Sequence, residues 1–401
     1  MDAAEELDIV IVGAGICGLA TALALHRKGI KSVVLERSER LRASGAAIGI
    51  LTNGWRALDQ LGVGSRLRQT AVLQQGTRDI WLESNKQEVR PTSKGEARGV
   101  KRSDLIDILA QDLPRGTIRL GCHILFVELD PLTNFPILQF RNGRTLKAKI
   151  LIGCDGENSA VAEFLRLKPK KVFPARVMRG LTYYPSPHGF APEFVKTHGK
   201  DVVFGRAPIS ENLVYLVLLL PGYPKDSEIF NDPELLKKMA LEKTNSFPKE
   251  IIEMIKNCDI TSLSLKELWY RPAWEILLGT FRKGTVTVAG DAMHVMGPFL
   301  AQGGSVALED AVVLARCLAQ KIHARTFSER NHELIRKNVG QAMDLYVKER
   351  RMRLVGLSAQ TYLTGLLLSS TSTIRKLLLL ALITVLFPDP IHHTQYDCGH
   401  L

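Results

Sequence analysis

The feature that most constrains this chain is Gly13-x-Gly15-x-x-Gly18, set between an apolar run and an alanine- and leucine-rich stretch. Residues 8–13, DIVIVG, have the continuous apolar character of a strand buried on both faces. Ile16 to Lys28 carries helical spacing, and Gly29 stops it. KSVVLER, residues 31–37, reads as a second strand. Together they predict one βαβ unit with a right-handed crossover. In that setting each glycine has its own task. Gly13 turns the chain, Gly15 lets a pyrophosphate approach the backbone, and Gly18 lets helix and strand close together. The helix N-terminus offers free N–H groups and positive dipole character to phosphates. Glu36 stands eighteen positions beyond Gly18, where a carboxylate accepts from ribose hydroxyls, and Arg37 beside it joins the cofactor-binding candidates. The unit is built for a dinucleotide; its spacing leaves FAD and NAD both open.

Two further strand ends carry unusual residues. TVTVAGD, residues 285–291, ends in Gly290-Asp291 and is followed by His294, Pro298, Gln302, Gly303 and Gly304. Open α/β sheets place ligands at such strand ends. The helix beginning near Gly304 has Glu309 and Asp310 in its early turns, as its dipole favours. Its N-terminus would stabilise an anionic ring in the loop, and Asp291 would accept from hydroxyls of the bound group. His294 has two readings: a catalytic candidate, or an imidazole bonded to loop backbone with no chemical duty. The third strand end is Asp155-Gly156 in LIGCDGENSAVAEFL, entering a helix capped near Asn158 or Ser159. Alone it is an ordinary strand-to-helix turn; its weight comes from the other two.

Elsewhere, residues 44–62 read as a glycine-rich loop and then a helix, 76–97 as a strand-turn-strand excursion, and KRSDLIDILAQDL as a helix. Residues 118–153 are β-type runs around an Asn142–Gly143 hairpin turn. Residues 171–275 have the texture of strands with proline-rich turns, and the chain after 320 is helical. The expected fold is α/β. A Rossmann-like dinucleotide domain takes residues 1–75, 98–170 and 276–330, a β-rich substrate domain 76–97 and 171–275, and a helical C-terminal segment 331–401. Arg179, Tyr183 and Tyr215 are the substrate-side candidates.

The chain has 401 residues, 45% hydrophobic and 23% charged, an ordinary globular composition. Its six cysteines are scattered, with no cluster at metal spacing, which fits reduced thiols and a cytoplasmic setting. The net charge of +12 is spread without a nucleic-acid recognition motif, so steering of phosphorylated cofactors is its expected use. Basic clusters such as Arg166–Lys168–Lys170–Lys171 and Glu349–Arg350–Arg351–Arg353 read as solvated faces. The acidic opening residues do not resemble a transit peptide. Residues 377–387, LLLLALITVLF, are about half the length needed to cross a bilayer. A helix buried on the core is the expectation there, and peripheral membrane contact the alternative.

The three strand ends in this order, the last as GDAMHVMGPFLAQGG, resemble the FAD-dependent aromatic hydroxylases, the class A flavin monooxygenases. GLATALALHRKGIKSVVLERS, TNGWRALDQLGVG and ERRMRLVGLSAQTYLTG resemble the plant salicylate-hydroxylase-like branch of that family. The resemblance implies a p-hydroxybenzoate hydroxylase-like fold with non-covalent FAD. It sets Gly13, Gly15 and Gly18 at the pyrophosphate, Glu36 at the adenosine ribose, and Arg102 at the ribityl-phosphate region. Asp155 and Gly156 would serve FAD and NAD(P)H, Asp291 the ribityl chain, and Gly303 and Gly304 the flavin cradle. Pro298 would sit beside the isoalloxazine, where substrate approaches. The implied reaction is reduction of FAD by NADH or NADPH, O2 capture as a flavin 4a-hydroperoxide, and oxygen delivery to a small aromatic or apolar metabolite. A same-fold oxidoreductase that inserts no oxygen, or a non-enzymatic membrane-apposed flavoprotein, satisfies the same motifs. Two departures stand out. Ala162 replaces the family's Arg, which weakens the expectation of tight NAD(P)H handling, and Ala301 and Ser305 replace a loop Gly and Asn.

Overall fold

In the computed structural model, which describes residues 5–41, 46–92, 95–222, 232–322, 331–370, 372–389 and 391–401, the chain begins with β1 (Glu5–Val12), α1 (Ile16–Arg27) and β2 (Val33–Leu35). Ile9 to Val12 and all of α1 from Ile16 to Leu25 are buried, so this βαβ unit lies within the core. A helix apolar on every side has no solvent face to offer. Next come β3 (Ala47–Ile50), α2 (Thr52–Gln60), α3 (Gly64–Arg68), β4 (Val72–Leu73), β5 (Gly76–Trp81) and β6 (Lys86–Pro91). They lead to β7 (Arg98–Lys101), α4 (Arg102–Gln111), β8 (Ile118–Arg119), β9 (Ile124–Leu129), β10 (Pro136–Phe140), β11 (Thr145–Gly153) and α5 (Ala160–Phe164). The middle of the chain supplies β12 (Lys171–Tyr183), β13 (Glu193–His198), β14 (Val203–Ser210), β15 (Leu213–Pro221), α6 (Pro233–Lys243), α7 (Lys249–Lys256) and β16 (Ser264–Tyr270). The last part holds α8 (Ala273–Leu278), β17 (Arg282–Lys283), β18 (Val286–Val288), α9 (Asp291–His294), α10 (Gly303–Lys321), α11 (His332–Ser369) and α12 (Thr373–Leu386).

The first sheet runs β17-β18-β11-β1-β2-β8, with β10 and β9 continuing from β11. β1 lies between parallel neighbours β11 and β2, and β18 adds parallel to β11. In this register Val12 sits beside Gly153, and Gly153 beside Val288. Three strands far apart in sequence therefore end on one line.

The second sheet runs β16-β12-β15-β14-β13-β5-β6, antiparallel except where β13 meets β5. Side chains alternate across it. Met178, Val214, Leu216 and Leu218 face α6 and α7, while Val177, Val217 and Leu219 face Phe299 and α11. β3, β7 and β4 form a small third sheet.

Three parts of the chain differ from the sequence expectation. Residues 47–50, read as loop, form β3, because they pair with β7. The 171–275 stretch contains two helices: Asp232 caps α6 by accepting from Glu234 and Leu235 amides, Pro233 opens it, and Ile251, Met254 and Ile255 give α7 one apolar face. The C-terminal apolar helix α12 is not buried on the core. Only Leu379 is buried, because α11 offers it a single stripe of contact. Among the described residues, no helix is long and apolar enough to cross a membrane.

Candidate functional site

The aligned ends of β1, β11 and β18 are tied together by backbone bonds, Cys154 N to Val12 O at 2.8 Å and Ala289 N to Gly153 O at 2.9 Å. Within one to three residues past those ends stand Gly13, Asp155 and Gly290-Asp291. Gly13 takes φ +97°, and a Cβ there would lie 2.5 Å from Cys154 O. A Cβ on Gly18 would fall 1.8 Å from Gly13 O, so this glycine sets how closely α1 sits on β1. Gly15 is different: its absent side chain would meet no atom within 4 Å. It keeps clear the space in front of the α1 N-terminus, where no acidic residue stands in the first turn. Glu36 is held from behind, accepting from Ala14 N and Ser38 N, each at 2.9 Å. Arg37 is exposed beside it.

At the β11 end, Asp155 accepts from Val161 N at 3.5 Å through Oδ2. Its buried Oδ1 has no hydrogen-bond partner, and burial holds this carboxyl above the ordinary value. Gly156, at φ +79°, makes the turn that follows. Ser159 caps α5 by accepting from Ala162 N at 2.8 Å, and Ala162 itself is buried.

At the β18 end, Gly290 takes φ +60°, and a Cβ there would press on Cys17 at 2.9 Å. Asp291 is exposed and opens α9. Arg102, the first residue of α4, lies between two charges: burial holds its guanidinium below the usual range, Asp291 pulls it up and Arg179 pushes it further down. Neither Arg102 nor Arg179 has a carboxylate within ion-pair distance among the described residues. Arg102 on α4 thus lies close enough to Asp291 on α9 and Arg179 on β12 to feel both charges, with no ion pair among the three.

Pro298 opens a short 3-10 turn, Pro298–Leu300, that projects Phe299 toward the second sheet, with its ring centroid 5.0 Å from that of Phe173. Gly304 is pressed against Ile48, whereas a Cβ on Gly303 would meet nothing within 4 Å, as at Gly15. Gly303 begins α10, whose first turn also lacks acids. Arg179 lies opposite Val217, and Tyr215 opposite Leu181, so both project from the face that meets Phe299. Burial pushes the Tyr215 phenol up, and Arg179 pulls it back. Tyr183, at the outer end of β12, is 65% exposed, and the structure does not bring it into this group. An open groove of about 620 Å3 lined by Leu236, Leu265 and Trp269 lies elsewhere, between α6 and β16.

His294 is fully buried, with Nε2 at 2.6 Å from Asp310 Oδ2 and no partner for Nδ1. Asp310 also receives Gly290 N at 2.9 Å and Arg350 Nε at 2.7 Å. Arg350 reaches Glu309 at 2.6 Å, and Glu309 accepts from Asn53, which also donates to Gln302 at 2.8 Å. Burial alone would push Asp310 up, but His294 and Arg350 hold it at about 2. Two sequence expectations are overturned here. Glu309 and Asp310 do not serve the α10 dipole; they are buried counter-ions. The Glu349–Arg353 run is not a solvated face: Arg350 is fully buried, Arg351 donates to the carbonyls of Ile276, Leu277 and Gly279, and Arg353 pairs with Glu309. Only the resemblance of ERRMRLVG to the family hinted at this, since its charge pattern looks like surface.

A sheet whose parallel strands β1, β2, β11 and β18 run beside the N-terminus of α1 has the layout of a dinucleotide-binding oxidoreductase. The chain belongs to the FAD-dependent monooxygenases of the aromatic hydroxylase type, and the family profile described as "FAD binding domain" matches residues 6–343. It is 51% identical over 399 residues to Monooxygenase 1 of Arabidopsis thaliana, covering 99% of this chain and 100% of that one. It is 36% identical over 374 residues to Monooxygenase 2 of the same plant, with 90% of each chain covered. Among solved structures, Klebsiella pneumoniae HpxO complexed with FAD and uric acid has the same fold, with a TM-score of 0.77 at 19% identity over 98% of this chain and 96% of that one.

Proposed function

We propose that this enzyme uses NADH or NADPH and O2 to oxygenate a small aromatic or apolar metabolite on bound FAD. The observation that supports the reading is the registered end of β1, β11 and β18, with unobstructed glycines at the N-termini of α1 and α10. The residues fit FAD. Gly15 and Gly303 leave room where side chains would intrude, and Asp155 keeps a buried oxygen without a partner. Gly13, Gly15 and Gly18 with the α1 N-terminus would take the pyrophosphate, Glu36 and Arg37 the adenosine side, and Arg102 and Asp291 the ribityl-phosphate stretch. Asp155 and Gly156 would close that stretch from the β11 end, and Gly303 and Gly304 at the α10 N-terminus would hold the pyrimidine side of the ring.

When bound, FAD supplies hydride acceptance and O2 activation. The chain supplies position and dryness. The α10 N-terminus would stabilise negative charge that develops on the ring it faces. Phe299, Phe173 and Tyr362 form an apolar wall that keeps water out. Arg179 and Tyr215 lie on the sheet face opposite Pro298 and would orient the substrate. His294 acts here as a positioning residue: anchored to Asp310, it fixes the turn that carries Asp291. The relatives named monooxygenases, and a neighbour that binds FAD with uric acid, support the same reading.

The test is turnover under isotopically labelled O2. The yellow holoenzyme is expected to consume NADH or NADPH when offered its substrate and to leave label in the product. A converted product without label would overturn oxygen insertion.

A further inference from the structure

We propose that α12 docks this enzyme on an anionic lipid surface, lying flat at the boundary between headgroups and acyl chains. α12 packs on α11, and its least exposed positions with its C-cap, Leu379, Ile383 and Phe387, recur at helical spacing; of these only Leu379 is buried. A soluble helix turns polar residues away from its core-facing stripe. Here the opposite face carries Ile374, Leu377, Leu378, Ala381 and Val385, with Val385 77% and Ile374 73% exposed. Leu380 and Leu386 on its flanks are more than half exposed as well. Apolar side chains thus extend round most of the helix.

A partner protein covers one face, whereas lipid wets a convex apolar helix over its whole free circumference. The polar groups fit lipid too. The exposed hydroxyl of Thr384 donates to Leu380 O at 2.9 Å, so it brings no unmet donor into the acyl region. Between Ser372 and Phe387 there is no acidic side chain, and the only charges are Arg375 and Lys376, both in the first turn and both exposed. Their long stems let the cationic heads rise to lipid phosphates while the leucines sink. Fourteen residues at about 1.5 Å each span roughly 21 Å, short of the ~30 Å hydrocarbon layer, so the helix lies in the surface instead of crossing it.

The experiment sediments the full-length, FAD-loaded enzyme with vesicles of phosphatidylcholine alone or of phosphatidylcholine with phosphatidylserine. The expected result is binding that is on the order of tenfold stronger to the anionic vesicles. Leu378→Glu with Val385→Glu should abolish sedimentation while flavin absorbance and turnover in solution stay unchanged. Arg375→Glu with Lys376→Glu should remove the preference for the anionic vesicles. Wild-type enzyme left in the supernatant with both vesicle types would overturn the proposal. So would a dimer in light scattering that the Leu378/Val385 double variant converts to monomer, since a second copy would then cover the helix. Binding is read by sedimentation, so its failure is distinct from a failure of the oxygenation reading.

Discussion

Gly15 and Gly18 stand three positions apart and set opposite penalties on a side chain. At Gly18 a Cβ would overlap Gly13 O at 1.8 Å, a backbone atom that cannot move without parting α1 from β1. At Gly15 the same atom would enter open space. Gly18→Ala is therefore expected to damage folding, seen as lost soluble protein or a sharply lower Tm. Gly15→Leu should keep a wild-type circular dichroism spectrum and Tm without cofactor, yet purify colourless and stay colourless in excess FAD. A yellow Gly15→Leu protein would remove the pyrophosphate from this turn. A third residue tests the loop itself. Ala301 holds φ +52°, a left-handed conformation that costs a β-carbon residue about 1–2 kcal/mol. Ala301→Gly relieves that cost but adds roughly 0.4–1 kcal/mol of chain entropy to the unfolded state. The net expectation is a small stabilisation in urea unfolding; a loss above about 1 kcal/mol would show that the alanine methyl is held by contacts. The close packing at Gly18 was legible in sequence, because the approach of a helix to the strand just before it is a local demand. The anchoring of Glu36 by two backbone amides was not, since it depends on how β2 closes on the turn after β1.

Helices α10 and α11 are joined through a charge cluster that neither helix could bury alone. Arg350 on α11 meets Glu309 and Asp310 on α10 at 2.6 and 2.7 Å, all fully buried. Removing one partner of such a pair leaves the other charge without compensation, a cost of about 3–5 kcal/mol. Arg350→Met should lower the unfolding free energy measured in urea by that amount, and a neutral outcome would mean that water replaces the guanidinium. Asp310 also sets a pH response. Its folded carboxyl is held at about 2, below an unfolded value of about 3.9. Its stabilising contribution, about 2–3 kcal/mol, is thus fully present above pH ~4 and is lost as pH falls through ~2. Asp310→Asn should flatten the acid limb of the stability curve by the one proton that Asp310 otherwise takes up; an unchanged limb would deny Asp310 its depressed value. This cluster was illegible in sequence for a physical reason. Arg350 lies forty residues from Asp310, and a run of three arginines has the pattern of a solvated face until α11 is known to cross α10. The same limit governed α12: its leucines predicted burial, but burial needs a partner surface, and α11 supplies only a stripe.

Across the whole molecule, local patterns located the three candidate strand ends, while their meeting depended on pairings far apart in sequence. β1 and β18 both dock on β11, bringing residues 12, 153 and 288 into one row. Periodicity carries no information on such neighbours; the order of motifs and its family resemblance supplied it. The second sheet was less legible, because α6 and α7 interrupt its strands, although 76–97 and 171–275, the segments that β5 and β13 join, were expected in one unit. Charge acts at this scale as well. The chain carries a net +12, and Arg102 and Arg179 lie near each other with no carboxylate at ion-pair distance among the described residues, so the field around them favours phosphorylated ligands. NADPH has one more phosphate than NADH and should gain more from it. At an ionic strength of ~0.01 M the screening length is about 30 Å and the whole surface contributes, whereas at ~0.15 M it is about 8 Å. kcat/KM for NADPH should therefore fall several-fold over that range, and for NADH by less, while kcat measured at saturation stays nearly constant. Arg179→Met should reduce the salt slope, since it removes a cation that has no carboxylate at ion-pair distance among the described residues. If both nucleotides show equal, flat profiles, the basic surface plays no part in capturing the reductant.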